Sequence, residues 1–300
     1  MTCLNDLSAL CPPGRSMTSR YLTALPVYNE AAFIYEVLDE VRRFSDEVLV
    51  VNDGSTDGSA ELLSARDDVR VVTHESNRGY GAALSTAFDY ADRHGFEMVV
   101  TIDCDGQHEP QRIPQFVAAC HELHRNDDEF NDGECNDRAR NDVTSNGVAS
   151  NGVNRDRVDI VSGSRYLRQY DSDSVAPVER RRINMQVTRE LNQRFNLELT
   201  DAFCGFKAYR VSALRKLQLT EVGYAMPLEL WVQAAHVGLN IIELPVPLIY
   251  LDEERSFGGM LDTPDVRLEY YHLVLDRAEA ALRRLGNLTC AGRVCGDTSG

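Results

Sequence analysis

Short apolar runs alternate with helical patterns from Arg20 to about His124. Tyr21–Leu25, Glu47–Asn52, Val69–Thr73 and Glu97–Ile102 have the length and aliphatic content of buried strands. Between and after them, 31–44, 58–65, 79–93 and 111–121 repeat apolar residues at helical spacing. Strands alternating with helices through short connections predict an α/β fold, a mainly parallel sheet with helices on both faces. Such sheets bind ligands outside the carboxyl ends of their strands. Three of those ends run into polar motifs: Pro26-Val27-Tyr28-Asn29-Glu30, Asn52-Asp53-Gly54-Ser55-Thr56-Asp57 and Asp103-Cys104-Asp105-Gly106-Gln107-His108. One crevice is expected to collect all three.

The pattern then breaks. Residues 126–155 divide into six tandem pentads, NDDEF, NDGEC, NDRAR, NDVTS, NGVAS and NGVNR, and no pentad position is steadily apolar. Stacking them would bury almost nothing, so 126–157 reads as a disordered insertion in a surface loop. A strand is expected at Val158–Val161, then helices over Val178–Phe195, arginine-rich on one side, and Leu228–Val237. Ile241–Pro247 reads as strand, and its prolines place it at a sheet edge. A last helix is expected over Pro264–Leu285. The organisation is thus one domain, 20–285, interrupted by the insertion and flanked by disordered tails at 1–19 and 286–300.

Charge narrows the partners. The formal net charge is −16, with only two lysines, Lys207 and Lys216. General nucleic-acid binding is excluded, because there is no excess positive charge to release counterions. Electrostatics alone would not hold the chain on an anionic membrane either. An anionic substrate must be held by local arginines and a metal. Eight cysteines show no C-x-x-C pairing, so neither a zinc site nor a disulfide framework is indicated. Cys104, Cys120 and Cys204 adjoin apolar segments and read as small core residues. No apolar run is long enough to span a bilayer, and residues 1–19 lack the pattern of a signal peptide. A cytoplasmic location is expected, with a peripheral position on the cytoplasmic membrane face left open.

Asp103, Asp105 and Gln107 alternate just beyond the apolar run Met98–Ile102. Alternate side chains of an extended chain point the same way. Three hard oxygen donors can therefore converge with positions left open, which suits Mg²⁺ or Mn²⁺ holding a diphosphate. The alternative is a turn in which aspartates bond neighbouring amides. Asp53 invites a similar pair of readings: a tight turn, or a carboxylate accepting from the imino hydrogen of uracil or guanine. Asp57 is expected to cap the next helix. Asn77-Arg78-Gly79-Tyr80-Gly81 either presents amides to a phosphate or packs a helix start closely on the sheet. Trp231, Tyr270 and Tyr271 read as core, and His108 as a residue that orients its loop.

Six motifs occur in order: Pro-x-Tyr-Asn-Glu at 26–30, Asn-Asp-Gly-Ser-Thr-Asp-Gly at 52–58, Asn-Arg-Gly-Tyr-Gly at 77–81, Asp-x-Asp-Gly-Gln-His-x-Pro at 103–110, Gly-Ser-Arg-Tyr at 163–166 and Asp-x-x-x-Gly-Phe-Lys-Ala-Tyr-Arg at 201–210. The series resembles family 2 glycosyltransferases, in the branch of dolichol- or polyprenol-phosphate mannose synthases and their glucose counterparts. It covers about Tyr21 to Arg255 outside the insertion. The resemblance implies a GT-A fold, a nucleotide-sugar donor and transfer with inversion to a lipid phosphate. It implies donor contacts from Pro26, Tyr28, Glu30 and Asp53, and metal ligation by Asp103, Asp105 and Gln107; Arg78 of the third motif is a further donor-binding candidate. It further implies that Arg165, one residue of 180–182 taken as Arg181, and Arg255 hold phosphate. Two departures stand out. The serine expected four residues after the second arginine falls at Met185. In place of C-terminal membrane helices there is only Pro264–Leu285, whose Val266, Tyr270, Leu273, Val274 and Leu282 are expected to pack on their own domain.

The expected chemistry is in-line displacement at the anomeric carbon, with metal and arginines stabilising the departing diphosphate. A hydroxyl acceptor would need a general base, for which Asp201 and Glu229 are the candidates. A phosphate monoester needs none, being largely dianionic near neutrality with a second pKa of about 6. The expectation is transfer of mannose or glucose from a GDP- or UDP-hexose to a polyprenyl or dolichyl phosphate at the membrane surface. Asp105, Arg165 and Asp201 stand in the catalytic positions. Transfer to a hydroxyl, and a non-catalytic nucleotide-sugar binder, remain the alternatives.

Overall fold

Seven strands form one sheet in the order β3-β2-β1-β4-β6-β5-β7. They are β1 (Tyr21–Val27), β2 (Val48–Asn52), β3 (Arg70–Thr73), β4 (Met98–Thr101), β5 (Ile160–Ser164), β6 (Lys207–Arg210) and β7 (Ile241–Pro245). The helices are α1 (Ile34–Arg42), α2 (Ser59–Ser64), α3 (Tyr80–Arg93), α4 (Ile113–His121), α5 (Val178–Phe195), α6 (Val211–Leu214), α7 (Met226–His236) and α8 (Pro264–Ala291). This computed structural model describes residues 20–121, 157–251 and 259–291. The N-terminal tail, the pentads and Arg255 lie outside the described residues.

β1 pairs in parallel with β2 and β4, β2 with β3, and β5 with β7; β6 alone runs against its neighbours, β4 and β5. β6 and α6 are absent from the pattern-based expectation. Four residues opened by Lys207 and closed by Arg210 give no apolar run, and only the central place of β6 in the sheet buries them. β7 lies at the edge, as its prolines require. α8 continues past Leu285, so the first residues of the expected disordered tail are helical instead.

Period-two alternation sends neighbouring strand residues to opposite faces. Val48 and Val50 join the core under α1 and α4, while Leu49 and Val51 join the core under α3, α5, α7 and α8. α8 packs on its own domain, against α5 and α7, through Tyr271, Val274, Leu275 and Ala278; of the residues expected to pack, Val266 and Leu273 fall on the outward phase of the helix and are exposed. Trp231 is fully buried there and its indole donates to the Ala202 carbonyl, a core residue. Cys104, Cys120 and Cys204 are buried thiols outside any disulfide; burial pushes the Cys120 thiol up to about 12. Among the described residues no helix is long and apolar enough to cross a membrane.

This topology determines where the motifs meet. β1, β2, β4 and β5 share a direction, so Tyr28, Asp53, Asp103 and Arg165 all emerge at one sheet edge. β6 runs the other way, so it is its entry, Asp201–Phe206, that reaches the same edge.

Candidate active site

The shared edge opens on a cleft of about 770 Å³. Pro26, Tyr28, Glu30, Asp53, Asp103, Asp105, Gln107 and Arg165 all line it. The first two motif loops are clipped together. Asn29 adopts a left-handed conformation (φ 58°), and its Oδ1 accepts from the Thr56 amide at 2.8 Å. The Ala31 amide donates to Asp57 Oδ2 at 2.9 Å, and the Glu30 amide to Ser59 Oγ at 3.0 Å. Asp57 Oδ1 also takes the Ser59 amide at 3.0 Å, but the N-cap position of α2 is Gly58, in a left-handed conformation (φ 96°), so Asp57 reaches the first helical amide from one residue before the cap position expected for it.

Asp53 is almost fully enclosed but borders the cleft. Its Oδ1 lies 2.6 Å from His74 Nδ1 and accepts from the Arg78 amide at 2.9 Å, while Oδ2 accepts from the Gly79 amide at 2.7 Å. Two of the amides that the sequence offered to a phosphate, those of Arg78 and Gly79, are thus taken by Asp53. Gly79 has φ 103°, and a Cβ on it would overlap the Val222 carbonyl; one on Gly81 would overlap the Glu221 carbonyl. Close packing is therefore what these glycines serve, though against the 221–223 loop rather than the sheet. Arg78 does not line the cleft; it borders a separate depression with Asp89 and Arg93 on the outer side of α3.

Asp103 receives the Tyr80 hydroxyl at 3.2 Å on Oδ1, and His108 Nε2 lies 3.3 Å from Oδ2. Burial, reinforced by Asp103, pushes the Tyr80 phenol well above its usual range, so it stays a donor. Asp105 Oδ1 accepts from the Gln107 amide at 3.0 Å, so the turn reading is realised, and Asp103, Asp105 and Gln107 all line the same cleft. Among the described residues no group of three or more His, Cys, Asp or Glu could hold a metal. Two carboxylates and an amide beside an open cleft instead fit an ion that shares its coordination with a ligand. Mg²⁺ and Mn²⁺ favour such sites, held by one or two carboxylates plus substrate phosphates.

The opposite wall is basic. Arg165 grips Asp201 with two parallel hydrogen bonds, Nε to Oδ2 at 2.7 Å and Nη2 to Oδ1 at 2.9 Å. Asn184 Nδ2 adds a third at 2.8 Å. Burial alone would raise the Asp201 carboxyl, but the Arg165 charge and these donors hold it well below the usual carboxylate range. Asp201 is fully buried and does not line the cleft, so it anchors Arg165 instead of reaching a substrate. Glu229, the other candidate base, accepts the Thr220 and Glu221 amides at 2.7 Å each and also lies outside the lining. Within 180–182 it is Arg180 that lines the cleft. Arg181 stacks on the Tyr166 ring, 3.3 Å from its centre, and Arg182 pairs with Glu179. Four residues after Arg180 stands Asn184, which lines the cleft while its amide bonds Asp201 and Thr188.

The family model described as "Glycosyl transferase family 2" matches residues 23–128. Residues 23–128 carry a family 2 glycosyltransferase domain. The chain's enzyme class is glycosyltransferase, and the chain resembles the polyprenyl-phosphate mannosyltransferases. Over 89% of its length it is 27% identical to undecaprenyl-phosphate mannosyltransferase of Micrococcus luteus, covering 99% of that protein. It is 29% identical to polyprenol monophosphomannose synthase of Mycolicibacterium smegmatis, over 89% of this chain and 92% of that one. In fold it is similar to glucosyl-3-phosphoglycerate synthase of Mycobacterium tuberculosis, solved with Mn²⁺, uridine diphosphate and phosphoglyceric acid. The TM-score is 0.58 at 18% identity, covering 87% of this chain and 78% of that one. The sheet and its edge cleft are of the GT-A type.

Several cleft features of this glycosyltransferase domain escape sequence reading. Gly205 stands in the sixth motif, yet its purpose shows only where Asp103 rests on it. Tyr224 stacks on Tyr80 with ring centres 5.7 Å apart, and Tyr271, expected in the core, is both buried and part of the lining. Arg267 of α8 also lines the cleft, and no motif marks it.

Proposed function

We propose that this enzyme transfers a hexose from a nucleoside diphosphate sugar to a polyprenyl phosphate, inverting the anomeric carbon. Mannose is the favoured sugar, because both similar proteins are named for mannose transfer. The observation that carries the reading is the make-up of the cleft wall. Arg165, Arg180 and Arg267 line it, while Asp201 and Glu229 are spent on internal hydrogen bonds outside it. A hydroxyl acceptor would need a base there. A phosphate acceptor needs positive charge instead, and guanidinium forks suit phosphate oxygens.

In this reading Pro26, Tyr28, Glu30 and Asp53 receive the nucleoside. Asp103, Asp105 and Gln107 would hold Mg²⁺ or Mn²⁺, which supplies charge neutralisation for the diphosphate when bound. An acceptor phosphate oxygen attacks the anomeric carbon as the bond to the diphosphate breaks, and the nucleoside diphosphate leaves with that electron pair. Arg165, held rigidly by Asp201, and Arg180 orient the incoming phosphate. The enzyme works from the cytoplasmic face of the membrane.

The test is incubation with GDP-mannose or UDP-glucose and polyprenyl phosphate, with Mg²⁺, Mn²⁺ or chelator. Lipid-linked hexose that disappears with chelator supports the reading. Turnover only with a soluble hydroxyl acceptor would replace it.

A further inference from the structure

The two apolar side chains most open to solvent among the described residues, Val175 and Val178, are 83% and 78% exposed. Both belong to segments that carry or are tied to cleft residues. The Ser174 amide donates to the Leu248 carbonyl at 2.7 Å, and the Ser174 hydroxyl accepts from the Tyr250 amide at 3.1 Å. The segment carrying Val175 is thereby tied to the one ending in Leu251, an exposed residue that lines the cleft. Val178 opens α5, two positions before the cleft residue Arg180. Leu167, also exposed, follows Tyr166, the cleft residue on which Arg181 stacks. Exposed apolar side chains gathered at one place mark an interaction surface.

Charge indicates what covers it. Residues 165–182 carry five arginines against three acidic residues, in a chain whose net charge is −16; Arg165, Arg180, Arg181 and Arg182 are engaged in the cleft wall or with neighbours, and Arg168 stands in the rim beside Leu167. Arginine interleaved with exposed aliphatic side chains suits the boundary between phospholipid headgroups and acyl chains. We propose that the rim formed by Leu167, Arg168, Val175 and Val178 docks this chain on a phospholipid bilayer. The aliphatic groups enter the acyl boundary and Arg168 meets lipid phosphate. The inference rests on the lipid-phosphate reading of the cleft: a polyprenyl tail stays in the bilayer, so the mouth that receives its phosphate must face the bilayer. The negative charge elsewhere on the chain then points to water.

The experiment compares the full chain with the double variant Val175→Asp, Val178→Asp. Flotation with vesicles of phosphatidylcholine and a minority of phosphatidylglycerol reads docking. Transfer is measured to undecaprenyl phosphate in those vesicles and to water-soluble citronellyl phosphate. The unaltered chain should float, and the variant's bound fraction and vesicle-borne turnover should fall roughly tenfold or more, from the lost burial of two side chains. Transfer to citronellyl phosphate should be unchanged. An unaltered chain that does not float, a variant that floats equally well, or a dimer broken by the two substitutions overturns the proposal. If the unaltered chain glycosylates neither acceptor, the reading of the cleft fails, and flotation still decides the docking face.

Discussion

Gly205 and Asp103 are fitted to one another: a Cβ at Gly205 would overlap the Asp103 carboxylate. The loop entering β6 therefore forms a floor for this aspartate, with Tyr80 and His108 on its oxygens. Gly205→Ala should displace Asp103 and lower turnover by roughly a hundredfold, the scale of a misplacement of about 1 Å. The chain should still fold. Steady-state kinetics beside a circular dichroism melt checks both outcomes.

Asp103→Asn and Asp105→Asn each remove one of the charges that fit the site to a divalent ion. Turnover should fall by about 10²-fold or more in either variant. Calorimetric titration of Mn²⁺ with nucleotide present should show weakened metal binding, and unchanged binding would remove the metal role.

Nucleoside diphosphates should raise the melting temperature, because a ligand that binds only the native state stabilises it by about 2.7 kcal/mol at a hundredfold excess over Kd. Comparing GDP with UDP, each with Mn²⁺, identifies the base. The shift should shrink in Asp53→Asn, where the acceptor proposed for the base and for the Arg78 and Gly79 amides is altered.

Asp201→Asn distinguishes an anchor from a base. As an anchor, its loss leaves the Arg165 charge buried without its partner, a cost of about 3–5 kcal/mol. Stability and turnover then fall together, whereas loss of a base would lower turnover alone. The folded Asp201 carboxyl is held below its unfolded value, so its stabilisation is present above the unfolded pKa of about 3.9 and is lost as pH falls below that. Unfolding midpoints from pH 7 down to pH 3 should decline less steeply at the acid end in Asp201→Asn.

Arg180 and Arg181 should part company. Arg180 lines the cleft, so Arg180→Ala should raise KM for the lipid phosphate roughly tenfold, the scale of one lost charge-assisted hydrogen bond. Arg181 stacks on Tyr166 behind it, so Arg181→Ala should change KM less. The same lipid acceptor assayed side by side gives the answer.

The parallel half of the sheet was legible because β1, β2 and β4 are apolar runs whose residues are buried on both faces. Their polar ends were legible for the same reason, since a parallel strand must deliver its next residues to the ligand edge. β6 was not, because Lys207 and Arg210 are buried only by strands distant in sequence. Its Lys207 ammonium finds the Cys204 carbonyl and its Arg210 guanidinium the Val158 and Cys120 carbonyls, partners that no local pattern announces. The arginine run was legible as a phosphate candidate but not resolved among its members. Helical phase relative to the cleft selects Arg180, and that phase is set by Ile183, Val187 and Leu191 packing into the core.

By itself the sequence determined the α/β class, the edge at which ligands gather, and the aspartates that face it, since hydrophobic period and strand ends are local properties of a chain. The tertiary structure decided which charges remain available in the cleft. It enclosed Asp201 and Glu229 among donors, kept Arg180 at the wall and brought in Arg267 from α8. A side chain's availability depends on the partners that folding places around it, and those come from segments far along the chain.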